Sequence, residues 1–255
     1  MTAHSSAVIL RTAPPVAWVT LNRPERGNAC STELVQGLED ALDRAEQSGA
    51  RALVLQGSCR HFCTGFDLSG LDNETDDSLL ARFTRLELLL QRVARAPLLT
   101  VAIAQSRAIG AGADLFTACD VRMACANAHF AFPGARGFGL VLGSRRLAAR
   151  VGDAVATAWI ANATTIDAAS ATATGLATHL VNDPAQAASL VETLLLERAS
   201  TDGADTATLR SALEPHACDH DAHDLARLVR SAARPGLRER IAAYAGLRNT
   251  PTSPT

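Results

Sequence analysis

The sequence predicts an α/β protein of layered strands and helices, and three observations carry that prediction. Short runs of β-branched and aliphatic residues alternate with longer stretches of helical periodicity. Two of those runs, "RALVLQG" and "LLTVAIA", are apolar enough to read as strands covered on both faces. Two glycine turns, "FCTGFDL" at residues 62–68 and "IGAGADLF" at 109–116, follow strands and mark changes of chain direction.

Each element follows in order. Residues 7–10 and 16–21 ("VAWVTL") are β-rich and separated by "RTAPP", which predicts a hairpin. After the turn "NRPERGNA", Ser31 or Thr32 caps a helix running to about Ser48, with Leu34, Leu38, Ala41, Leu42 and Ala45 as its apolar stripe. The strand "RALVLQG" leads into the first glycine turn. Segment 69–77, "SGLDNETDD", is polar and acidic, so its composition predicts a mobile loop. Residues 78–95 read as a helix, "LLTVAIA" as a strand, "GAGADLFTACD" as a short helix and "VRMACA" as a strand. From about Val151 the chain is helical, apart from "ATHLV" as a last strand. Breaks fall at Gly203, Pro215 and Pro235, and "NTPTSPT" reads as a disordered tail.

The length of 255 residues suits one large domain, or one domain with a helical appendage. Hydrophobic residues make up 47%, which supplies a sizeable core. A net charge of -2 argues against nucleic acid as the main partner. Every basic residue is Arg. The six cysteines show neither a disulfide framework nor a CxxC zinc pattern, which points to a reducing compartment. "MTAHSSAVIL" lacks the features of a secretory signal, and no apolar run is long enough to span a bilayer. A cytoplasmic protein without membrane partners is the expectation.

Glycine at a strand end lets successive backbone N–H groups point outward. At "GAGADLF" those groups also begin a helix, where the dipole adds partial positive charge. One N–H from each turn, converging, would receive an oxygen that turns negative during reaction, as a thioester carbonyl does on forming an enolate. From the residues alone, two tight turns serving only the fold remain the alternative.

The stretches "VAWVTLNRPERGNA", "HFCTGFDL", "GAGADLFTACDVRMA" and "AHFAFP" resemble, in order and spacing, the crotonase superfamily of enoyl-CoA hydratases/isomerases. "TIDAASATATGLATHLV" is similar to a later segment of that family. The resemblance implies a crotonase-like spiral of ββα units over residues 1–195 and a C-terminal helical trimerisation region over 196–255. It also implies a homotrimer or a dimer of trimers. The implied substrate is an acyl-CoA thioester, with coenzyme A entering as part of the substrate and no further cofactor. The implied oxyanion-hole donors are the backbone N–H groups of Phe66 and Ala111. Coenzyme A would lie along Arg26, Ala29, Thr64, Asp67 and Leu68, with Arg26 facing phosphate and carbonyls near Ala29, Thr64 and Leu68 facing the adenine amino group.

Hydration in that family uses two carboxylates. Asp114 stands at the first position, one methylene shorter than the usual Glu. Gly134 stands where the second belongs, in "FAFPGARGFGLVLGSRRLA", and it carries no proton-transfer group. Isomerisation or divergent enolate chemistry is therefore as well supported as hydration. A protein that binds acyl-CoA with weak or no catalysis is one alternative. A decarboxylase or C–C hydrolase, with Arg136 or Arg85 holding a substrate carboxylate, is another.

On a helical projection of residues 78–95, Glu87 falls inside the arc of Leu79, Leu80, Phe83, Leu86, Leu90 and Val93. There it serves as a second acid/base in a dry pocket, or it pairs with an arginine such as Arg136. Arg136, Arg145 and Arg146 read as an acyl-carboxylate site or as surface and subunit charges. His61 and His129 read as rim residues, and nothing near Cys63 in sequence activates it. In "PHACDHDAHD", His216, His220 and His223 share a helical face, but the reading of that stretch is a polar surface and no metal.

Overall fold

The structure is a computed structural model that describes residues 6–197, 208–209, 211–214 and 216–249. Gly203, Pro215 and the tail from residue 250 lie outside the described residues, and so do the expectations placed on them. β1 (Val8–Ala13) and β2 (Val16–Leu21) form the expected antiparallel hairpin. β3 (Ala52–Gly57), β4 (Leu99–Ala104), β6 (Val121–Cys125) and β9 (His179–Val181) then add in parallel, giving a six-stranded sheet in the order β1-β2-β3-β4-β6-β9. A second, three-stranded sheet holds β5 (Arg107–Ile109), β7 (His129–Ala131) and β8 (Ile166–Asp167).

The two sheets are linked by a repeating unit. β4 passes to β5 and then to α3 (Ala111–Ala118); β6 passes to β7 and then to α4 (Gly134–Phe138). β3 begins the same way: Cys63 pairs with Ala108 as an isolated bridge before the chain enters α2 (Asp76–Arg95). This is a spiral of strand–strand–helix units. Each unit places a corner between a large-sheet strand and a helix, which is where the glycine turns fall.

Both faces of the large sheet are buried, and strand alternation sorts the side chains between them. Leu53 and Leu55 point into the main core with α1 (Thr32–Gln47) and α2. Ala52 and Val54 point the other way, under Val191 and Leu195 of α8 (Pro184–Glu197). Fully burying a leucine or valine side chain contributes about 1.5–3 kcal/mol, so this two-sided burial is the main cohesion of the fold. Ser31 caps α1, its Oγ accepting from Leu34 N at 3.2 Å.

Helix α2 starts two residues earlier than expected because Thr75 and Ser78 form a reciprocal capping box. The acidic segment expected to be mobile is instead tied down. A 3-10 turn spans Leu71–Asn73, Glu74 pairs with Arg82, and Asp76 accepts from the backbone N–H groups of Gly236 and Arg238 at 2.9 and 2.8 Å. The partners of Asp76 lie far away in sequence, which composition cannot reveal.

The remaining helices are α5 (Ser144–Val151), α6 (Asp153–Asn162), α7 (Ala168–Ala173), α9 (Ala217–Ala232) and α10 (Leu237–Asn249). α9 and α10 flank the expected break at Pro235 and fold back on their own chain. Leu228, Leu237 and Ile241 share a core with Leu79 and Phe83 of α2 and with Leu140. Among the described residues no helix is long and apolar enough to cross a membrane.

Candidate active site

The two glycine corners abut. Gly65 has φ 107°, and a Cβ added there would lie 2.8 Å from the Ile109 carbonyl and 3.9 Å from the Ala111 nitrogen. Only glycine combines that backbone angle with that approach. The first corner is registered by a parallel bridge between Cys30 and Phe66: Cys30 N–H donates to Gly65 O at 2.7 Å, and Asp67 N–H to Cys30 O at 3.1 Å. Such a bridge turns the N–H of Phe66 itself away from Cys30. Ala111 is the first residue of α3, so its N–H has no partner within the helix. Among the described residues neither N–H donates to a protein acceptor.

Both residues line one cavity. Phe83 of α2, Pro133 and Phe138 around α4, and Tyr244 of α10 supply further walls. Phe66 stacks on Phe83 with centroids 4.0 Å apart, and the Arg82 guanidinium lies 4.2 Å from the Phe66 centroid on its other side. The corner bearing the first N–H is therefore clamped by its own side chain. Past Thr64 and Tyr244 the cavity meets a broader groove carrying Arg60, Arg107 and Arg136.

Asp114, three residues past Ala111, is the one carboxyl among the described lining residues. It is 4% exposed, and its Oδ1 has no hydrogen-bond partner. Burial raises its carboxyl well above the usual carboxylate range, Arg146 pulls it down, and Glu87 adds a further upward push. Relative to an exposed carboxyl it is shifted toward the protonated acid, while the ionised form remains available for proton abstraction. Gly134 also lines the cavity and offers no functional group.

Glu87 is held in an ion pair and is no acid/base of the cavity. Its position inside the apolar arc of α2 is as the projection implied, and it is 1% exposed, but it does not line the cavity. Both its oxygens are held by Arg146, Nη1 to Oε1 at 2.9 Å and Nη2 to Oε2 at 2.5 Å, and Gln91 donates to Oε1 at 2.8 Å. The partner is Arg146 rather than Arg136. Arg146 is accordingly a buried residue and not a surface charge. Arg145 pairs with Asp224 and Glu214, Arg136 is exposed and donates to the Asn162 carbonyl, and Arg85 is engaged by Glu39 and Gln36. None of these arginines lines the cavity, so the expected carboxylate-binding roles of Arg136 and Arg85 find no support there.

The residues expected along coenzyme A divide. Thr64 and Leu68 line the cavity, and Arg26 is exposed beside Thr64, whose Oγ donates to the Arg26 carbonyl at 3.4 Å. Ala29 is less suited to adenine than expected: its carbonyl already accepts from Arg23 Nη1 at 2.8 Å and from Ser31 N at 2.9 Å. Asp67 is 6% exposed and pairs with Arg23 at 2.7 Å and with Ser69 N at 2.9 Å. It organises its loop. Burial raises its carboxyl, but the bonds from Ser69 and Arg23 more than offset that and leave it lowered.

Of the remaining candidates, His61 bonds Ser106, and His129 donates to the Asn127 carbonyl. Cys63 and Cys30 lie 3.6 Å apart, sulfur to sulfur, and the bond between them lowers the Cys63 thiol while raising that of Cys30. Both are buried and neither lines the cavity. His223 turns Nδ1 to the Asp219 carbonyl, and among the described residues no group of three potential ligands is arranged to hold a metal. Sequence reasoning placed Phe83 on the arc facing the pocket but missed Phe138 and Tyr244. For Tyr244 one signal existed, since it is the only tyrosine in the chain.

A spiral of strand–strand–helix units, with an apolar cavity where its glycine corners meet, defines a crotonase-type fold. The comparisons agree with that class. The profile described as Enoyl-CoA hydratase/isomerase matches residues 11–225. A solved structure from Bordetella parapertussis, assigned to the enoyl-CoA hydratases/isomerases, is 39% identical with a TM-score of 0.90, over 97% of this chain and 100% of that one. The probable enoyl-CoA hydratase echA6 of Mycobacterium tuberculosis is 37% identical over 66% of this chain and 68% of its own. An ethylmalonyl-CoA decarboxylase of Danio rerio is 35% identical over 44% of this chain and 37% of its own. The chain belongs to the enoyl-CoA hydratase/isomerase family of acyl-CoA enzymes.

Proposed function

We propose that this chain stabilises the enolate of an acyl-CoA thioester between the Phe66 and Ala111 amides and moves one proton through Asp114. The observation that carries this reading is the meeting of two unengaged N–H groups and one buried carboxyl on a single apolar cavity. The thioester oxygen accepts from both amides and becomes negative as the α-carbon loses its proton. Donors already fixed by the backbone need no reorganisation, and each is worth about 3 kcal/mol.

With one carboxyl, the reaction favoured is double-bond isomerisation. Ionised Asp114 takes a proton from the α-carbon of a β,γ-unsaturated chain. The electron pair spreads through the dienolate, and the same carboxyl returns the proton to the γ-carbon, leaving the double bond at α,β. Adding water requires a second group to activate it, and Gly134 supplies none. Coenzyme A arrives with the thioester and no further cofactor is proposed. Exposed Arg26 and the groove bearing Arg60 and Arg107 suit its phosphates. A homotrimer or dimer of trimers is proposed from the family resemblance; gel filtration giving a monomer would count against it.

A second reading has its own support. The bias of Asp114 toward its protonated form suits decarboxylation of a 2-carboxyacyl thioester. The carbon–carbon bond breaks, carbon dioxide leaves, the electron pair enters the enolate, and Asp114 donates its proton to the α-carbon.

Ala111→Pro tests the site. Proline is tolerated at the first position of a helix, so the variant removes one N–H and spares α3. Turnover of a β,γ-enoyl-CoA is expected to fall about a hundredfold or more with the melting temperature preserved. An unchanged kcat excludes the two-amide site. Release of carbon dioxide from a 2-carboxyacyl-CoA, without isomerisation, selects the second reading. Binding of several thioesters without turnover of any would leave an acyl-CoA-binding protein.

A further inference from the structure

The Glu87–Arg146 pair lies behind the cavity, and packing alone gives little reason for it. Removing two charges from water costs several kcal/mol per ion, and a buried pair stabilises a fold no better than apolar side chains of equal volume. Yet this pair is complete. Arg146 grips Glu87 with both terminal nitrogens, Gln91 takes up a further lone pair on Glu87, and Asp224 lies 3.7 Å from Arg146 Nη1.

One guanidinium nitrogen is left over. Among the described residues two buried side-chain polar atoms have no partner: the donor Arg146 Nε and the acceptor Asp114 Oδ1. They sit on α5 and α3, which pack together, and Gly143 at the start of α5 touches the Asp114 carboxyl. Glu87 enters from α2 and Arg146 from α5, and these are the charges acting on Asp114. β4 brings only uncharged residues, and Arg107 at the head of β5 is exposed and lines the outer groove.

We propose that Arg146, held rigid by Glu87, acts from behind the cavity as a positioning residue that sets the charge state of Asp114. Glu87 therefore acts through Arg146 and touches no substrate. The inference rests on the reading of Asp114 as the proton carrier, and it accounts for a site with one carboxyl: its counter-charge is internal. Removing either partner exposes Asp114 to the other, with opposite signs. Without Glu87, an uncompensated positive charge favours the carboxylate; without Arg146, a negative charge favours the acid.

The test titrates Asp114 directly, by side-chain carboxyl-carbon NMR assigned through loss of the signal in Asp114→Asn, alongside the pH profile of kcat. Glu87→Gln is expected to move the midpoint down by about one pH unit and Arg146→Met to move it up by about as much. Arg146→Lys, which keeps the charge, should restore most of the wild-type midpoint. Shifts in the same direction, or no shift, overturn the proposal, because a merely structural tie between α2 and α5 predicts loss of stability without opposed titrations. If the single variants do not fold, Glu87→Gln combined with Arg146→Met carries the test. The pull of Arg146 on Asp114 outweighs the push of Glu87, so that midpoint is expected to rise, and a fall overturns the idea. Opposed midpoints in a protein that turns over no thioester uphold this inference while removing the proposed reaction.

Discussion

Gly143 sits directly against the carboxyl of Asp114: a Cβ added to it would lie 2.8 Å from Asp114 Cγ and 3.2 Å from Asp114 Cβ. The glycine has φ 64° as it enters α5, so a side chain there is strained by the backbone and obstructed by the acid. Gly143→Ala is expected to cost about 1–3 kcal/mol of stability and to lower kcat about a hundredfold, since displacing a reacting group by an ångström has that effect. Steady-state kinetics beside thermal melting would check it; a variant with wild-type kcat would separate this contact from the chemistry.

Asp114→Asn should reduce turnover by about a hundredfold. It should also stabilise the protein at alkaline pH. The folded state holds the Asp114 proton above the ordinary carboxylate range, so it binds more protons than the unfolded chain. Stability then falls as pH rises from about 4 toward the raised value. The asparagine variant lacks that slope. Melting curves of the two proteins should agree near pH 4 and diverge above it, and parallel curves would contradict the burial argument.

Gly134→Glu would supply the carboxyl that hydration lacks. A Cβ at that position meets the Leu140 carbonyl at 3.3 Å and Phe138 Cζ at 3.9 Å, a tight fit that small adjustments relieve. The variant is expected to hydrate an α,β-enoyl-CoA measurably faster than wild type, followed by loss of enoyl absorbance. A folded variant with no gain would show that Gly134 is not what withholds hydration.

Asp67→Asn should loosen the first corner. The carboxylate is lowered relative to its usual value while paired with Arg23 and Ser69. Its contribution is therefore present above the ordinary carboxylate range and lost as pH falls through the lowered value. The substitution is expected to cost about 1–2 kcal/mol near neutral pH and to raise KM for the thioester more than it lowers kcat. Equal stability at neutral pH would remove Asp67 from the list of loop anchors.

Much of the fold was legible because its signals are local. Ser31 before the stripe from Leu34 to Ala45 announced α1, and the apolar runs announced β3 and β4. Segment 69–77 was misread because its order depends on Arg82, Gly236 and Arg238, the last two more than 150 residues away. The first residue of α2 was misplaced because Thr75 and Ser78 cap it reciprocally.

The site divides in the same way. By itself the sequence determined the two glycine corners, the carboxyl at Asp114 and the gap at Gly134, because each is a property of one position or of its immediate neighbours. Only the tertiary structure decided that Glu87 faces Arg146 instead of the cavity, that the Ala29 carbonyl is already taken, and that Tyr244 lines the chamber. Helical periodicity can assign a residue to a buried face. It cannot say which of the groups meeting there will satisfy a buried charge, since that choice is made by distances between segments far apart in the chain.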